Sequence, residues 1–309
     1  MTGPDAQVVL ASGASDFLQL SVSGIAQGCL YSLVALGFVL VLRSSGVLNL
    51  YQGGFILVGA YLVYQAHVVW QLSFVVAALI AAVIVVVLAL LVERFLVRRS
   101  ARSSPLSVIL MTIGLLLVTE TLVQSFWGSY PLNMHDPWGL ARAHIGTATV
   151  PQLDVWVIAV TGVLLVAFFL FFKYSIVGVA MRAAGSDPDA SVAQGISPRL
   201  VLSLAWAISA VIGVLTGIAL GASASGGLQI SLDQVALGAL PALIVGGLYS
   251  SVGAVVGGLL VGLAQLYAAG YAPSWLGSGF ATVMPYLLMT VILLIRPHGL
   301  LGAPSVRRA

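Results

Sequence analysis

Asn49 and Gln52 stand three residues apart, directly ahead of Gly53 and Gly54, with Gly59 following. On a helix that spacing puts both amides on one face. An amide offers donors and an acceptor together, so the pair suits a zwitterionic solute held weakly along a path. It suits equally well an interhelical hydrogen-bond clamp. Further along, Thr112, Glu120 and Gln124 share a helical face, with Thr119 beside it. Glu120 is ionisable and lies inside an apolar run, which makes it a functional-site candidate by default. It is also only about one and a half turns from the expected outer end of its segment, so solvation or pairing there is the plainer alternative. The threonines can simply bond back to their own helix.

Other chemistry is missing. No G-x-x-x-x-G-K-[ST] stretch occurs, and Lys173 is the one lysine, so the chain has no P-loop with which to cradle a nucleotide. The four histidines, His67, His135, His144 and His298, are scattered and form no metal-ligand spacing. No G-x-S-x-G or comparable nucleophile site is present. Cys29 is alone and cannot form an internal disulfide. These absences point away from an enzyme and away from a cofactor on this chain.

The elements that must position the polar residues follow from composition. Of 309 residues, 60% are hydrophobic and only 7% charged, against about 25% in a soluble domain. That leaves too little polar surface for a water-exposed globule. Apolar runs at 18–42, 46–66, 72–93, 106–126, 155–173, 200–222, 234–249, 251–271 and 276–296 predict an all-α integral membrane protein. It is a polytopic helical bundle of about 8–9 membrane segments. The short 234–249 run and the 46–66 run, which opens "NLYQGG", are candidates for broken or re-entrant helices. Such backbone is tolerated only inside protein or beside water. The predicted organisation is a loose tail at 1–17, one transmembrane domain at 18–302 and a short tail at 303–309.

With the N-terminus outside and nine crossings, Arg43, Arg94, Arg98, Arg99, Arg102, Lys173, Arg182, Arg199, Arg296, Arg307 and Arg308 all fall on the cytoplasmic side, and Arg142 alone lies outside. This obeys the positive-inside rule and puts the C-terminus in the cytoplasm. The net charge of +3 therefore reports topology and implies no nucleic-acid partner. Small residues recur at helical spacing: Ser209, Gly213, Gly217 and Gly221, then Gly253 with Gly257 and Gly258 with Gly262. Such faces let helices approach closely, and a channel lining is the alternative for the first. Glu93, Arg94, Arg98 and Arg99 suit contact with lipid phosphate at a segment end.

The loop 174–199 contains "SDPDASVAQG". Asp187 is placed to cap a helix, Pro188 suits its first position, and Asp189 adds negative charge at the positive end of the dipole. Gly195 can close it in a left-handed conformation. A helix of about two turns through Ala190, Val192 and Ala193 is either a connector or a docking knob for a soluble partner.

Five blocks in order bear on that choice: "YSLVALGFVLVLRSSGVLNLYQGGFILVGAY" (31–61), "ERFLVRRSARSSPLSVILMTIG" (93–114), "MRAAGSDPDASVAQGISPRLVLSLAWAISAVIGVLTGIALG" (181–221), "LIVGGLYSSVGAVVGGLLVGLAQ" (243–265) and "RPHGLLG" (296–302). Together, from about Gly24 to Gly302, they resemble the permease subunit of bacterial branched-chain amino acid ABC importers. The resemblance implies an inner-membrane location, a second related permease chain, two ATP-binding subunits that hold ATP and Mg, and an extracytoplasmic solute-binding protein. It implies that 187–195 is the helix that couples to an ATPase, and that Glu93 with its arginines is a possible secondary ATPase contact. The solute class implied is aliphatic amino acids, with urea, short amides and small carboxylates as alternatives. The chain departs from the family pattern at Tyr51, where small residues are common, and at Gly54, where an acid often stands. An ion-coupled secondary transporter and a passive channel are the rival readings. The first would need ion sites at mid-membrane, and neither gives the loop a role.

Overall fold

The computed structural model describes residues 4–100, 104–138, 141–145, 148–186, 188–222, 227–277 and 279–302. Its helices are α1 (Pro4–Ser45), α2 (Gln52–Tyr64), α3 (Phe74–Val92), α4 (Pro105–Trp127), α5 (Gln152–Tyr174), α6 (Ile176–Ser186), α7 (Pro188–Ala193), α8 (Pro198–Gly221), α9 (Gln234–Gly238), α10 (Leu240–Gly246), α11 (Ser251–Tyr271) and α12 (Phe280–Ile295). A two-stranded hairpin, β1 (Arg142–Ile145) and β2 (Ala148–Pro151), lies between α4 and α5.

Six of the nine expected segments are helices long and apolar enough to cross a membrane: Ser15–Ser45, Phe74–Val97, Pro105–Trp127, Gln152–Tyr174, Pro198–Gly221 and Ser251–Tyr271. The other three are shorter or irregular. The 46–66 run becomes α2 followed by a π-helical turn over Gln65–Val69. The 234–249 run breaks into a 3-10 turn (Ile230–Asp233), α9 and α10, with Pro241 opening α10 and Gly247 at φ 109° ending it. The 276–296 run holds the 16-residue α12, with Pro285 inside it. One boundary differs from expectation. The stretch assigned to a loose tail at 1–17 is helical from Pro4, where proline suits a first helical position, and no second proline interrupts α1. The tail at 303–309 lies outside the described residues.

Residues far apart in sequence meet at two ends. At one, an Arg43 guanidinium N–H donates to the Tyr249 carbonyl, and Arg98 grips Glu93 through Nε and Nη2 at 2.9 and 2.8 Å. Ser203 Oγ of α8 lies 3.0 Å from both partners of that pair. Glu93 is 1% exposed, so a carboxylate that would be costly alone is matched by a bidentate guanidinium and a hydroxyl. At the opposite end, Trp127 Nε1 donates to Gln65 Oε1 at 2.9 Å, and Leu132 and Leu228 exchange backbone hydrogen bonds.

Between the ends, α1, α2 and α8 form the centre. Val34, Ala35, Val39, Phe55, Ile56, Leu57 and Ala205 have no exposure. Helix α3 buries one stripe, Ala77, Ala81, Val85, Ala89 and Val92, and turns Val75, Leu79, Val83 and Val87 outward, as a lipid-facing helix does. Lipid tails are as apolar as leucine, so helices here must associate by close fit. A Cβ on Gly213 would lie 2.6 Å from Phe55 Cβ, and one on Gly217 would strike the Ile56 carbonyl. Helix α11 does this on two faces: Gly253 and Gly257 lie against Gly246 and Ala242 of α10, and Gly258 and Gly262 against Ser32 and Gly28 of α1. The segment "RPHGLLG" packs there too, its Leu300 and Leu301 N–H groups donating to the Val245 and Gly246 carbonyls at 2.8 and 3.1 Å.

Gly213→Leu should overpack the α2–α8 seam and cost about 1–3 kcal/mol. Thermal unfolding in detergent should show it as a lower midpoint. Gly114→Leu, at a position with no neighbour within 4 Å, should leave the midpoint near wild type.

Candidate functional site

The break between α1 and α2 is built by Asn49. Gly46 takes φ 70°, and Asn49 Oδ1 accepts from the Tyr51 N–H at 3.0 Å, which turns the chain into α2. Asn49 is 2% exposed, and its Nδ2 has no hydrogen-bond partner. Gln52 is fully buried. Its Nε2 donates to the Ser209 carbonyl at 3.1 Å, its Oε1 accepts from Ser209 Oγ, and that hydroxyl also reaches the Gly37 carbonyl at 3.3 Å. Gln52 therefore ties α2 to α8 and α1. A side chain with no exposure in the single chain gains none in an assembly of this conformation. In this conformation Gln52 is a clamp between helices and Asn49 holds a turn, and neither lines the cavity beside Glu120.

Thr112 is also withdrawn, 1% exposed with Oγ1 donating to the Ile109 carbonyl at 2.8 Å. Thr119 bonds back to the Leu115 carbonyl at 2.8 Å and meets the Tyr51 hydroxyl at 3.0 Å. That contact accounts for both departures from the family pattern. The Tyr51 ring folds over position 54, where a Cβ would come 2.8 Å from Cδ2, so tyrosine at 51 requires glycine at 54.

Glu120 is placed differently. It is partly exposed and faces a cavity of about 660 Å³ bounded by α1, α4, the 230–238 segment, α11 and α12. The wall combines Glu120, Asp233, Gln234, Gln265, Tyr31, Ser231, Thr282 and Tyr286 with Leu50, Ile113, Leu116, Leu117 and Leu237. Asp233, 4% exposed, comes within hydrogen-bonding reach of the Glu120 carboxyl. Gly53 positions it, since a Cβ there would lie 2.7 Å from the Asp233 carbonyl oxygen. Tyr31 donates its hydroxyl to Gln265 Oε1 at 2.7 Å. Among the described residues no Lys, Arg or His lines the cavity. The apolar grooves beside α5 hold no acid or base.

Sequence reasoning missed Asp233, Tyr31 and Gln265. Asp233 was within reach of the rule that flagged Glu120. Beginning the broken segment at Ile230 rather than at 234 would have placed this acid inside it. Tyr31 and Gln265 carried no such signal.

The expected docking helix is present as α7. Gly195 takes φ 81°, with its N–H on the Val192 carbonyl at 2.9 Å and the Ile196 N–H on the Ser191 carbonyl at 3.0 Å. This is a Schellman closure. Ala190, Val192 and Ala193 face outward, Val192 at 53% exposure. Asp187 lies outside the described residues, as do the side chains of Pro188 and Asp189.

The described residues thus form a multi-pass helical bundle with a polar cavity among its helices. The family model for the permease component of branched-chain amino acid transport systems matches residues 20–296, and the chain belongs to that family. It is 26% identical to the high-affinity branched-chain amino acid transport system permease protein LivH of Escherichia coli (strain K12), over 94% of this chain and 97% of that protein. It is 25% identical to the corresponding permease protein BraD of Pseudomonas aeruginosa, over 94% and 98%. Among solved structures, PsaBC from Streptococcus pneumoniae in complex with Fab shares the fold at a TM-score of 0.51 and 15% identity, over 91% of this chain and 92% of that one. The chain is accordingly a multi-pass membrane component of a transport system, not an enzyme.

Gln52→Leu should remove the Ser209 hydrogen bonds and destabilise the bundle by about 1–3 kcal/mol, read as a lower unfolding midpoint. A cysteine at position 52 should resist aqueous thiol reagents in the assembled transporter. Ready labelling there would place Gln52 on the path.

Proposed function

We propose that this chain is the permease subunit of an ATP-driven, binding-protein-dependent importer of aliphatic, branched-chain amino acids in a bacterial inner membrane. It pairs with a second homologous permease chain and with two ATP-binding subunits that carry ATP and Mg. An extracytoplasmic protein delivers the solute. Family membership over residues 20–296 carries this reading, and the names of LivH and BraD supply the solute class.

The geometry adds support. The cavity beside Glu120 sets carboxyl, amide and hydroxyl groups next to leucine and isoleucine side chains, the mixture that a zwitterion with a branched apolar tail calls for. Its rim includes the exposed Leu117, Leu237 and Tyr286, so a second permease chain laid over this face would close it into a path. The end that carries Arg43, Arg98 and Arg199 faces the cytoplasm by the positive-inside rule, and α7 belongs to that end, since Gly185 of the adjoining α6 lies beside Arg43. Exposed Val192 on a short, tightly closed helix is suited to a groove in an ATP-binding subunit. Hydrolysis there moves α7, which joins α6 to α8 in the chain.

In proteoliposomes, leucine uptake should require both the co-reconstituted ATP-binding subunits and internal ATP. Uptake driven by an ion gradient alone would identify a secondary transporter, and equilibration without energy a channel. Gly195→Val should strain the left-handed closure by about 1 kcal/mol or more and reduce uptake. Replacing 187–195 with a Gly/Ser linker should abolish the binding protein's stimulation of ATP hydrolysis. Unimpaired stimulation would remove α7 from the coupling route.

A further inference from the structure

The cavity holds a buried acid with no basic side chain on the wall beside it among the described residues. Asp233 is 4% exposed and lines the cavity. Its side-chain partner is another acid, Glu120. No ion pair reaches either carboxyl among the described residues, and no basic side chain lines the wall. The contrast with the other buried acid is direct: Glu93, 1% exposed, is gripped twice by Arg98 and once by Ser203. Two neighbouring carboxyl groups in a poorly solvated site repel each other when both are ionised and draw a positive group toward them. The pair is also fixed in place. Gly53 packs against the Asp233 backbone, and Glu120 follows Thr119, which is tied to Tyr51.

We infer that Asp233 and Glu120 together recognise the ammonium group of the solute as it passes through the cavity. The inference rests on the amino acid reading above and sharpens it. An ammonium presents three donors and one positive charge, and the two carboxyls supply charge-matched acceptors. Gln265 and Ser231 on the same wall add neutral acceptors. A solute with only a carboxylate meets like charge here and is turned away. Urea and short amides gain no ionic partner. The site thus selects amino acids over the small carboxylates that a purely apolar and amide-lined cavity would also admit.

The test uses the complete importer in proteoliposomes and a hydrophobic carbodiimide that modifies membrane-embedded carboxyls, with labelling at positions 120 and 233 read by mass spectrometry as the sum of N-acylurea and probe-amide adducts, and with free carbodiimide held equal across the probes. Three probes of one carbon skeleton separate the charges: leucine, isoamylamine, which lacks the carboxylate, and 4-methylpentanoate, which lacks the amine. Leucine and isoamylamine should protect both positions, and 4-methylpentanoate should not. In Asp233→Asn, isoamylamine should protect Glu120 only at about tenfold higher concentration or more, since a charge-assisted partner is gone. Glu120→Gln, read at Asp233, gives the same comparison if Asp233→Asn fails to assemble. Equal protection by 4-methylpentanoate, protection by Na+ or K+ at the isoamylamine concentration, or no labelling at either position in the unprotected importer overturns the inference. Leucine uptake is scored separately. Its absence in the wild-type importer would refute the amino acid reading, while protection by isoamylamine would still establish the ammonium site.

Discussion

Close backbone approach at glycine is the constraint on which the rest of this bundle depends. In a bilayer, burying an apolar side chain against another gains little over leaving it in lipid, so association rests on fit and hydrogen bonds. Helix α11 meets that constraint on two sides at once, with Gly253 and Gly257 on α10 and Gly258 and Gly262 on α1. Helix α8 does the same toward α2 through Gly213 and Gly217, and α2 answers with Gly59 against Val214. Because α10 is short and irregular, its place is set by α11 and by the "RPHGLLG" backbone that bonds to its end. The cavity wall is therefore a consequence of these seams.

Polar residues divide along the same lines. Where a seam is tight, they close on protein: Gln52 with Ser209, Glu93 with Arg98 and Ser203, Thr119 with Tyr51. Each such group is satisfied and gives register to helices whose apolar surfaces alone would slide. Where the chain breaks, between Ile230 and Gly247, the fit opens and polar groups face space instead. Irregular backbone inside a membrane needs protein or water around it, and here the same breaks that cost helical hydrogen bonds bring Asp233 opposite Glu120. Polar residues that close on protein and polar residues that face the cavity thus fall in different parts of the fold, although both kinds look alike in composition.

The helical membrane class, the run positions, the small-residue faces and the Gly195 closure of α7 were legible in the sequence. They depend on hydrophobicity, period and local backbone preference, all of which act within a few residues. The sequence also picked Glu120 as an ionisable group inside an apolar run, and Glu120 does face the cavity. What it could not assign was the partner of each polar face. Helical spacing says that Ser209, Gly213 and Gly217 share a side, and that Asn49 and Gln52 would do so on a regular helix. It does not say what covers that side. Only the packing of α2 against α8 made Gln52 a clamp, and only the broken 230–247 segment carried Asp233 to Glu120, more than a hundred positions away. Burial and pairing at that range are properties of the assembled bundle, because the energy of a buried polar group is fixed by whichever atoms the fold brings against it.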